Sequence, residues 1–396
     1  MKFKTGIPKL DDFLDGGLIP GTATIFWTQP GVSNAPFCYQ LINSILSENH
    51  NVIYVVQTKR PDTIEQEITD AGWDVTKHKQ EGNFKFIDAY SAIVNTESTE
   101  KLVVGNPKDI KEFSNVIENH LTQNEKCVVI FDSLSTLVND SFKDLLTEMK
   151  KWKELFLKYD SCGVFLFTEW PYGEEITTQV RELADSIVEL KAIEEKVILR
   201  EYFTVPKVSW GNPVKRGVPF KVVVPGGIKV YIPKVLVTGD FNAGKSSFVH
   251  SASDTAVSVD RIGTTVALDH GHLDYRGFSV DLFGSPGQER FDPLLKMLGN
   301  ESLGVIVMVD ATDPGTFDRA LTMLKKSNSE GLPYVVAANK ANKEGALPVE
   351  EIRQKMGLDV PIIELHAQEE GEEGKPCQLK KEDIHKTLDA LFDKII

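Results

Sequence analysis

The stretch Val235-Leu236-Val237-Thr238-Gly239-Asp240-Phe241-Asn242-Ala243-Gly244-Lys245-Ser246 joins an apolar run to the pattern G-x-x-x-x-G-K-[ST]. The apolar run predicts a β-strand, and the glycines let consecutive backbone N–H groups turn toward a chain of phosphates. Lys245 would neutralise the β and γ phosphates, and the Ser246 hydroxyl would ligate Mg²⁺. The stretch therefore predicts a strand, a phosphate-binding loop and a helix that hold a nucleoside triphosphate. The alternative is a glycine-rich turn without a ligand.

The length and charge of the chain limit its class. Its 396 residues exceed one ordinary hydrophobic core and fit two domains. A formal net charge of -14 argues against a general nucleic-acid-binding protein, because phosphate contacts need clustered Lys and Arg. No stretch approaches the roughly 18 apolar residues of a membrane span, and the first residues form no apolar region. We therefore expect neither a membrane span nor a signal peptide.

Cysteine usage indicates the compartment. The four cysteines are scattered along the chain, at Cys38, Cys127, Cys162 and Cys377. They form no C-x-x-C pair and have no histidine at metal-binding spacing, which is typical of reduced thiols. We therefore expect a cytoplasmic protein.

Short β-branched runs alternate with helical patterns through the first half of the chain. The predicted strands there are Ala23 to Trp27, Asn51 to Val56, Lys85 to Asp88, Cys127 to Asp132 and Gly163 to Thr168. Such alternation predicts an α/β fold with a mostly parallel, covered sheet. Val-rich segments broken by prolines between Glu195 and Tyr231 predict antiparallel hairpins, and a second alternation starts at Lys234. We therefore predict two domains, residues 1–233 and 234–396, joined without a flexible linker.

Further motifs in the second half select one superfamily among P-loop proteins. Gly287-Gln288-Glu289-Arg290-Phe291 stands as in Rab and Ras proteins, and Ala338-Asn339-Lys340-Ala341-Asn342 is similar to the Arf branch. Thr264 to Gly271 and Phe283 to Gln288 are more similar to prokaryotic small GTPases of the gliding-protein and roadblock-associated type. Residues 234–396 thus resemble a Ras-like small GTPase along essentially their whole length, with the prokaryotic type as the nearest group.

This resemblance implies a GTP/GDP site with Mg²⁺ as its cofactor. Thr265, with Thr264 as the alternative, would reach Mg²⁺ and the γ-phosphate only in the triphosphate state, and Gln288 would orient the attacking water. The implied catalytic residues are Lys245, Thr265 and Gln288, and the implied Mg²⁺ ligands are Ser246 and Thr265. The implied nucleotide-binding residues are Gly239, Asp240, Asn242, Ala243, Gly244, Lys245, Ser246, Ser247, Asn339, Lys340, Asn342, His366 and Ala367.

The metal side of this site departs from the family pattern. Gly284 stands where most Ras-like proteins carry the aspartate that holds a Mg²⁺-bound water. Asp281 precedes it on the same predicted strand, and strand alternation would point this carboxylate away from the metal. We therefore expect a weaker metal shell built on Ser246 and Thr265. Phe241, at the P-loop position closest to Gln288, predicts slow intrinsic hydrolysis.

The base side departs as well. Asn342 replaces the aspartate that accepts from two guanine donors, so we expect weaker guanine binding. A base with a carbonyl at position 2 is the alternative ligand. His366-Ala367-Gln368 replaces Ser-Ala-Lys in the loop that contacts guanine O6, and Ala367 still offers its N–H. A metal pair at His270 and His272, two residues apart, is a less favoured interpretation.

The first half resembles the KaiC-like branch of RecA ATPases. The resemblance rests on Thr5 to Gly21, on Phe86 to Ser91, and on Val128 to Ser135, a Walker B strand that contains Asp132. In an active member of the branch, this aspartate would hold Mg²⁺ through water. The resemblance implies a second P-loop domain, of the RecA/KaiC type, ahead of the Ras-like one.

The catalytic groups of that branch are missing from this chain. Asn34 stands for the P-loop lysine, Ala35 stands for the Mg²⁺-binding hydroxyl, and Pro36 removes a backbone donor. The acidic pair after the next strand appears as Gln57-Thr58, and neither residue acts as a general base at neutral pH. We therefore expect an inactive pseudo-ATPase scaffold.

Together the two halves predict a GTP-binding molecular switch with slow GTP hydrolysis, coupled to a KaiC-like scaffold, in signalling or polarity regulation. The main alternative is a nucleotide-gated adaptor with negligible intrinsic hydrolysis. A structural protein with two decayed sites and a recombinase-type motor are further alternatives. The resemblance implies a roadblock-type regulator or a KaiC-like oligomer as partners, and no nucleic acid.

Overall fold

The computed structural model describes residues 2–122, 126–195, 198–259, 268–289, 295, 298–299, 302–327, 331–367 and 378–395. These residues form two compact units, Met1–Val230 and Tyr231–Ile396. The division falls close to the boundary that we predict after residue 233. Each unit contains alternating strands and helices, which confirms the predicted α/β class.

The first unit is built on a mostly parallel sheet. Its strands are β1 (Ala23–Thr28), β2 (Asn51–Val56), β3 (Phe84–Asp88), β4 (Leu102–Val103), β5 (Cys127–Phe131), β6 (Cys162–Thr168), β7 (Ser186–Glu195), β8 (Ile198–Val208), β9 (Val214–Val223) and the start of β10 (Gly227–Gly239). The order is β4-β3-β2-β5-β6-β1-β7-β8-β9-β10. Pairing is parallel from β4 to β7 and antiparallel from β7 to β10. The predicted strands and hairpins are thereby confirmed.

Helices cover both faces of this sheet. They are α1 (Leu10–Phe13), α2 (Ala35–Ser47), α3 (Pro61–Asp70), α4 (Thr76–Glu81), α5 (Tyr90–Ile93), α6 (Ile110–Leu121), α7 (Leu134–Lys158) and α8 (Glu174–Leu183). On one face, Phe131 stacks on Trp152 of α7 with ring centroids 4.8 Å apart. On the other face, Phe26 contacts Phe37 of α2 at 5.8 Å. A strand that is buried on both faces is a continuous apolar run in the sequence. The alternation of such runs with helical patterns could therefore be recognised from the sequence.

The second unit has a mixed sheet. Its elements are the end of β10, α9 (Lys245–Ala252), β11 (Thr255–Val259), β12 (Leu268–Tyr275), β13 (Phe278–Gly284), β14 (Gly304–Asp310), α10 (Phe317–Lys326), β15 (Tyr334–Asn339), α11 (Val349–Met356), β16 (Ile362–Glu364) and α12 (Lys381–Ile395). The order is β11-β12-β13-β10-β14-β15-β16, parallel from β10 to β16 and antiparallel from β11 to β13. Val235, Leu236 and Val237 are fully buried in β10, between β13 and β14.

Within the ranges given above, no helix combines the length and the apolar character that crossing a membrane requires.

Candidate nucleotide-binding site

The loop between β10 and α9 has the backbone that the P-loop pattern requires. β10 ends at Gly239 and α9 begins at Lys245. Gly244 has a φ of 96°, and a Cβ there would lie 2.0 Å from Nδ2 of Asn339. Gly239 has a φ of 146°, and a Cβ there would lie 2.2 Å from the carbonyl oxygen of Met308. Neither position tolerates a side chain, so both glycines of the motif are needed for this loop to close against the neighbouring strands.

Lys245 begins α9 with its ammonium turned back onto the loop. Its Nζ donates to the carbonyl oxygen of Asp240 at 2.6 Å, and the residue is 8% exposed. Burial lowers the pKa of this ammonium to about 8, and the carboxylates of Asp240 and Asp269 oppose the shift. A polyphosphate bound beside it would favour the charged form, so the position is suited to an anionic ligand.

Ser246 contacts a carboxylate that lies outside the P-loop motif. Its Oγ donates to Oδ2 of Asp269 at 2.6 Å, and Asp269 is 5% exposed. Asp269 lies on β12 directly opposite Gly284 of β13. A Cβ at position 284 would lie 3.1 Å from Cβ and 3.2 Å from Oδ2 of Asp269. The glycine at the family's aspartate position therefore leaves room for a carboxylate from the neighbouring strand.

Asp281 lies on the opposite face of the same hairpin. It pairs with His272, whose Nδ1 lies 2.7 Å from Oδ1 of Asp281, and the hydroxyl of Tyr231 donates to Oδ2 at 3.3 Å. Asp281 is thus held away from Ser246, as strand alternation predicts. Among the residues described, no group of three or more His, Cys, Asp or Glu side chains is placed to hold a metal ion.

Gln288 lies at the rim of the same site. A cavity of about 440 Å³ is lined by the P-loop, by Asp269 and by the segment from Ser285 to Gln288. Gly287 packs against the P-loop, since a Cβ there would lie 2.5 Å from the backbone nitrogen of Phe241. The Phe241 side chain itself is 55% exposed. The predicted residues Thr264, Thr265 and Gln368 lie outside the described residues.

The loops predicted to contact the base come together behind the P-loop. Nδ2 of Asn339 donates to the carbonyl oxygen of Ala243 at 3.1 Å, and Lys340 forms an ion pair with Asp310. The backbone N–H of Ala341 donates to the carbonyl oxygen of Leu365 at 3.2 Å. Nδ2 of Asn342 donates to the carbonyl oxygen of Ala367 at 3.5 Å. The structure thus joins the predicted Asn339–Asn342 and His366–Ala367 segments.

The corresponding loop of the first unit is occupied by its own side chains. Nδ2 of Asn34 donates to Oγ1 of Thr28 at 3.2 Å. The carboxylate of Asp132 accepts from the backbone N–H of Gln57 at 2.9 Å, and from the N–H and hydroxyl of Thr58 at 3.2 and 2.8 Å. Burial raises the pKa of Asp132 to about 6, although these hydrogen bonds oppose the shift. The Walker B carboxylate is therefore bound to the residues that replace the acidic pair.

Two family models match the chain, in the order that the motifs predict. The model "ATPase: KaiC" matches residues 3–235, and the ADP-ribosylation factor (Arf) family model matches residues 230–395. These matches confirm a KaiC-like domain followed by an Arf-type, Ras-like domain, both with P-loop folds. The narrower assignment to the prokaryotic gliding-protein type stays a prediction.

Proteins similar to this chain include UPF0273 proteins and a KaiC-like protein of archaea. A UPF0273 protein of Pyrococcus furiosus is 28% identical over 244 residues, which is 60% of this chain and 97% of the relative. A UPF0273 protein of Methanocaldococcus jannaschii is 31% identical over 138 residues, 34% of this chain and 57% of the relative. The crystal structure of a KaiC-like protein from Pyrococcus horikoshii aligns with a TM-score of 0.49 at 20% identity, covering 58% of this chain and 99% of that one. Because the KaiC model matches more than half of its residues, the chain belongs to the KaiC ATPase family, and it carries in addition a domain of the Arf family.

Proposed function

We propose that the chain is a guanine-nucleotide switch with slow GTP hydrolysis, coupled to a KaiC-like domain that serves as a scaffold in signalling or polarity regulation. An Arf-family domain indicates a GTPase-type switch in general. The observation that carries the proposal is the joined site of the second unit. There Lys245, Ser246 and Asp269 lie at the phosphate side, while Asn339 ties the base loop to the P-loop.

The phosphate side fits a magnesium ion. Ser246 and Asp269 present a hydroxyl and a carboxylate within 2.6 Å of each other, and hard oxygen ligands are what Mg²⁺ prefers. Ser246 would bind the ion directly and Asp269 would take the role of the family's aspartate, with Thr265 as the further predicted ligand. When bound, Mg²⁺ neutralises charge on the β and γ phosphates. Lys245 and the backbone N–H groups at the start of α9 supply the remaining positive potential.

Hydrolysis by this site needs a positioned water. Gln288 follows Gly287, which packs on the P-loop backbone at Phe241, so its side chain starts at the rim of the phosphate cavity. From there it would hold the water in line with the γ-phosphate. We expect a low rate, because the exposed Phe241 ring shares this rim. The site would then use the binding energy of the nucleotide more to distinguish GTP from GDP than to accelerate hydrolysis.

The first unit acts as a scaffold in this proposal. A bound ATP would need a lysine, a hydroxyl and an available Walker B carboxylate. Asn34 and Ala35 occupy the first two positions, and Asp132 is already bound to Gln57 and Thr58. The domain would then provide a binding surface, and not catalytic groups, to a KaiC-like oligomer or a roadblock-type regulator. We place the protein in the cytoplasm, since Cys38, Cys127 and Cys162 are buried free thiols.

A nucleotide-gated adaptor with negligible intrinsic hydrolysis is the second candidate. The exposed Phe241 ring beside Gln288 favours it, because a bulky group at this rim obstructs the in-line water. Single-turnover hydrolysis by the purified chain separates the two. A rate in the range of intrinsic small GTPases, of order 10⁻⁴ s⁻¹ or faster, supports the enzyme, and a much lower rate supports the adaptor.

The first experiment is to denature freshly purified protein, without added nucleotide, and to identify the released ligand by chromatography and mass spectrometry. About one equivalent of GDP or GTP is the expected result, since a tight site co-purifies with its ligand. Adenine nucleotide in its place would move the function to the first domain and overturn the scaffold assignment. If the protein is empty, titration with guanine and xanthine nucleotides follows, and failure of both to bind would refute the switch.

A further inference from the structure

A histidine in the base loop is held by a buried carboxylate from a different element. His366 follows β16, and Asp383 lies in the first turn of α12. Oδ2 of Asp383 accepts from the backbone N–H of His366 at 3.1 Å and lies 2.7 Å from Nδ1 of the same residue. Asp383 is 6% exposed, and the His366 side chain is 29% exposed. One oxygen thus holds both the main chain and the ring of His366.

This contact determines the tautomer of the imidazole. An ionised carboxylate only accepts hydrogen bonds, so the proton between the two residues belongs to Nδ1 of His366. In the neutral ring, Nε2 is then the acceptor nitrogen. His366 therefore carries an acceptor of fixed identity at the position where the family pattern has a serine.

The neighbouring residue lacks one acceptor. Asn342 has a single carbonyl oxygen in place of two carboxylate oxygens, and its Nδ2 donates toward the carbonyl oxygen of Ala367. A guanine bound there has two donors, N1–H and the 2-amino group, facing one acceptor oxygen, where a carboxylate would give each donor its own. Poorly paired buried donors are costly. Asn342 is bonded to the residue after His366, so the histidine, whose Nδ1 is held by Asp383, supplies a second acceptor, Nε2, from the same loop.

We propose that His366 is a specificity-determining residue whose Nε2 accepts from the 2-amino group of guanine, and that Asp383 is the positioning residue that fixes its tautomer. Asn342 Oδ1 and His366 Nε2 then replace the two oxygens of the missing aspartate. The inference rests on the proposed nucleotide switch and adds its base preference: guanine over hypoxanthine and over xanthine. Hypoxanthine lacks the 2-amino group, and xanthine presents a carbonyl oxygen that Nε2 would repel.

The test compares three diphosphates on the full chain. Dissociation constants for GDP, inosine diphosphate and xanthosine diphosphate are measured with Mg²⁺ by calorimetry. We expect the wild type to bind GDP about tenfold more tightly than inosine diphosphate, the ordinary effect of one hydrogen bond. His366→Ala should lower that ratio to about one while its affinity for inosine diphosphate changes little.

Variants of the carboxylate distinguish positioning from bulk stability. Asp383→Asn keeps an acceptor oxygen and should retain the GDP preference, whereas Asp383→Ala should lose most of it. Glu382→Ala, which removes an exposed acid from the same helical turn, is the matched control and should leave the ratio unchanged. Nitrogen-15 spectra of the histidine rings should report a protonated Nδ1 for His366 in the wild type and not in Asp383→Ala.

The outcomes separate this inference from the switch itself. An unchanged GDP preference in His366→Ala, a wild type that prefers xanthosine diphosphate, or a protonated Nε2 in the neutral ring would each overturn the role of His366 while leaving nucleotide binding intact. Failure of the wild type to bind any of the three nucleotides would refute the proposed function, and the inference with it.

Discussion

The two phosphate loops of this chain occupy equivalent places, each between a strand and the helix that follows it, yet their interiors differ. In the second unit, Lys245 and Ser246 direct an ammonium and a hydroxyl into a site that also contains Asp269. In the first unit, Asn34 bonds to Thr28, and Asp132 is bound to Thr58. A P-loop fold thus persists in the first unit without the lysine and the hydroxyl of its motif, with internal hydrogen bonds at the corresponding positions.

The largest expected effect comes from removing the one P-loop lysine. Lys245→Ala should weaken GDP binding by about 100-fold or more, because a full positive charge against the phosphates is lost. Asn34→Ala, at the corresponding position of the first unit, is the matched control and should leave GDP affinity unchanged. Titration with a fluorescent GDP analogue measures both. Equal losses of GDP affinity in the two variants would contradict the proposal that the loop of the second unit binds the phosphates and that of the first unit does not.

The carboxylate facing Ser246 should matter next. Asp269→Ala should reduce the Mg²⁺-dependent part of nucleotide affinity by about 10- to 100-fold, the usual effect of losing a group that orients a metal's shell. Asp281→Ala removes a carboxylate from the opposite face of the same hairpin and serves as the control. Dissociation constants measured with Mg²⁺ and with excess chelator give, by their ratio, the contribution of the metal to nucleotide affinity. If Asp281→Ala has the larger effect, the assignment of Asp269 is wrong.

Restoring the first loop should have a small effect. The triple substitution Asn34→Lys, Ala35→Ser and Pro36→Phe brings back a lysine, a hydroxyl and a backbone donor, but Asp132 stays bound to Gln57 and Thr58. We expect ATP affinity to rise by less than about threefold, a smaller change than one net hydrogen bond usually gives. Calorimetry with ATP and Mg²⁺ tests this. Tight ATP binding by the variant would show that Asp132 is available after all.

A further effect concerns stability and pH. The folded pKa of Asp132, about 6, lies above the usual 3.8, so the folded state binds this proton more tightly than the unfolded chain. Its contribution to stability is complete below about pH 4 and is lost as pH rises through 6. The free energy of unfolding of the wild type minus that of Asp132→Asn should fall by about 1–3 kcal/mol across this window. Denaturant titrations at several pH values measure it, and a flat difference would contradict the shift.

The fold was predictable because its strands are buried on both faces. Continuous apolar runs such as Asn51 to Val56 and Cys127 to Phe131 correspond to β2 and β5 with little change at their ends. β11 was not predicted, since Thr255–Val259 mixes polar and apolar residues and lies at the edge of its sheet. Strands of that kind depend on the partner strand rather than on their own pattern.

The sequence predicts the candidate-site positions that a linear motif encodes, such as Lys245 and Asn339, and not the position that strand pairing supplies. Asp269 joins the candidate site only through its position opposite Gly284. In the sequence, the signal for this register is the glycine at position 277, between Tyr275 and Phe278. In the structure, Arg276 and Gly277 both have positive φ and join these two residues as a two-residue turn. A two-residue hairpin sets the register, and counting back from it pairs position 269 with 284.

The pairing of Gly284, at the family's aspartate position, with Asp269 on the neighbouring strand also bears on how such proteins are identified. A search for the D-x-x-G motif along the chain finds Asp281, which faces His272, and misses the carboxylate that faces Ser246. In the proposed site the motif is two-dimensional: one member lies on each strand of a hairpin, and the register joins them. Small GTPases that a linear motif scan would reject for a missing aspartate should therefore be scanned again across the hairpin, with glycine on one strand and an acid opposite it on the other.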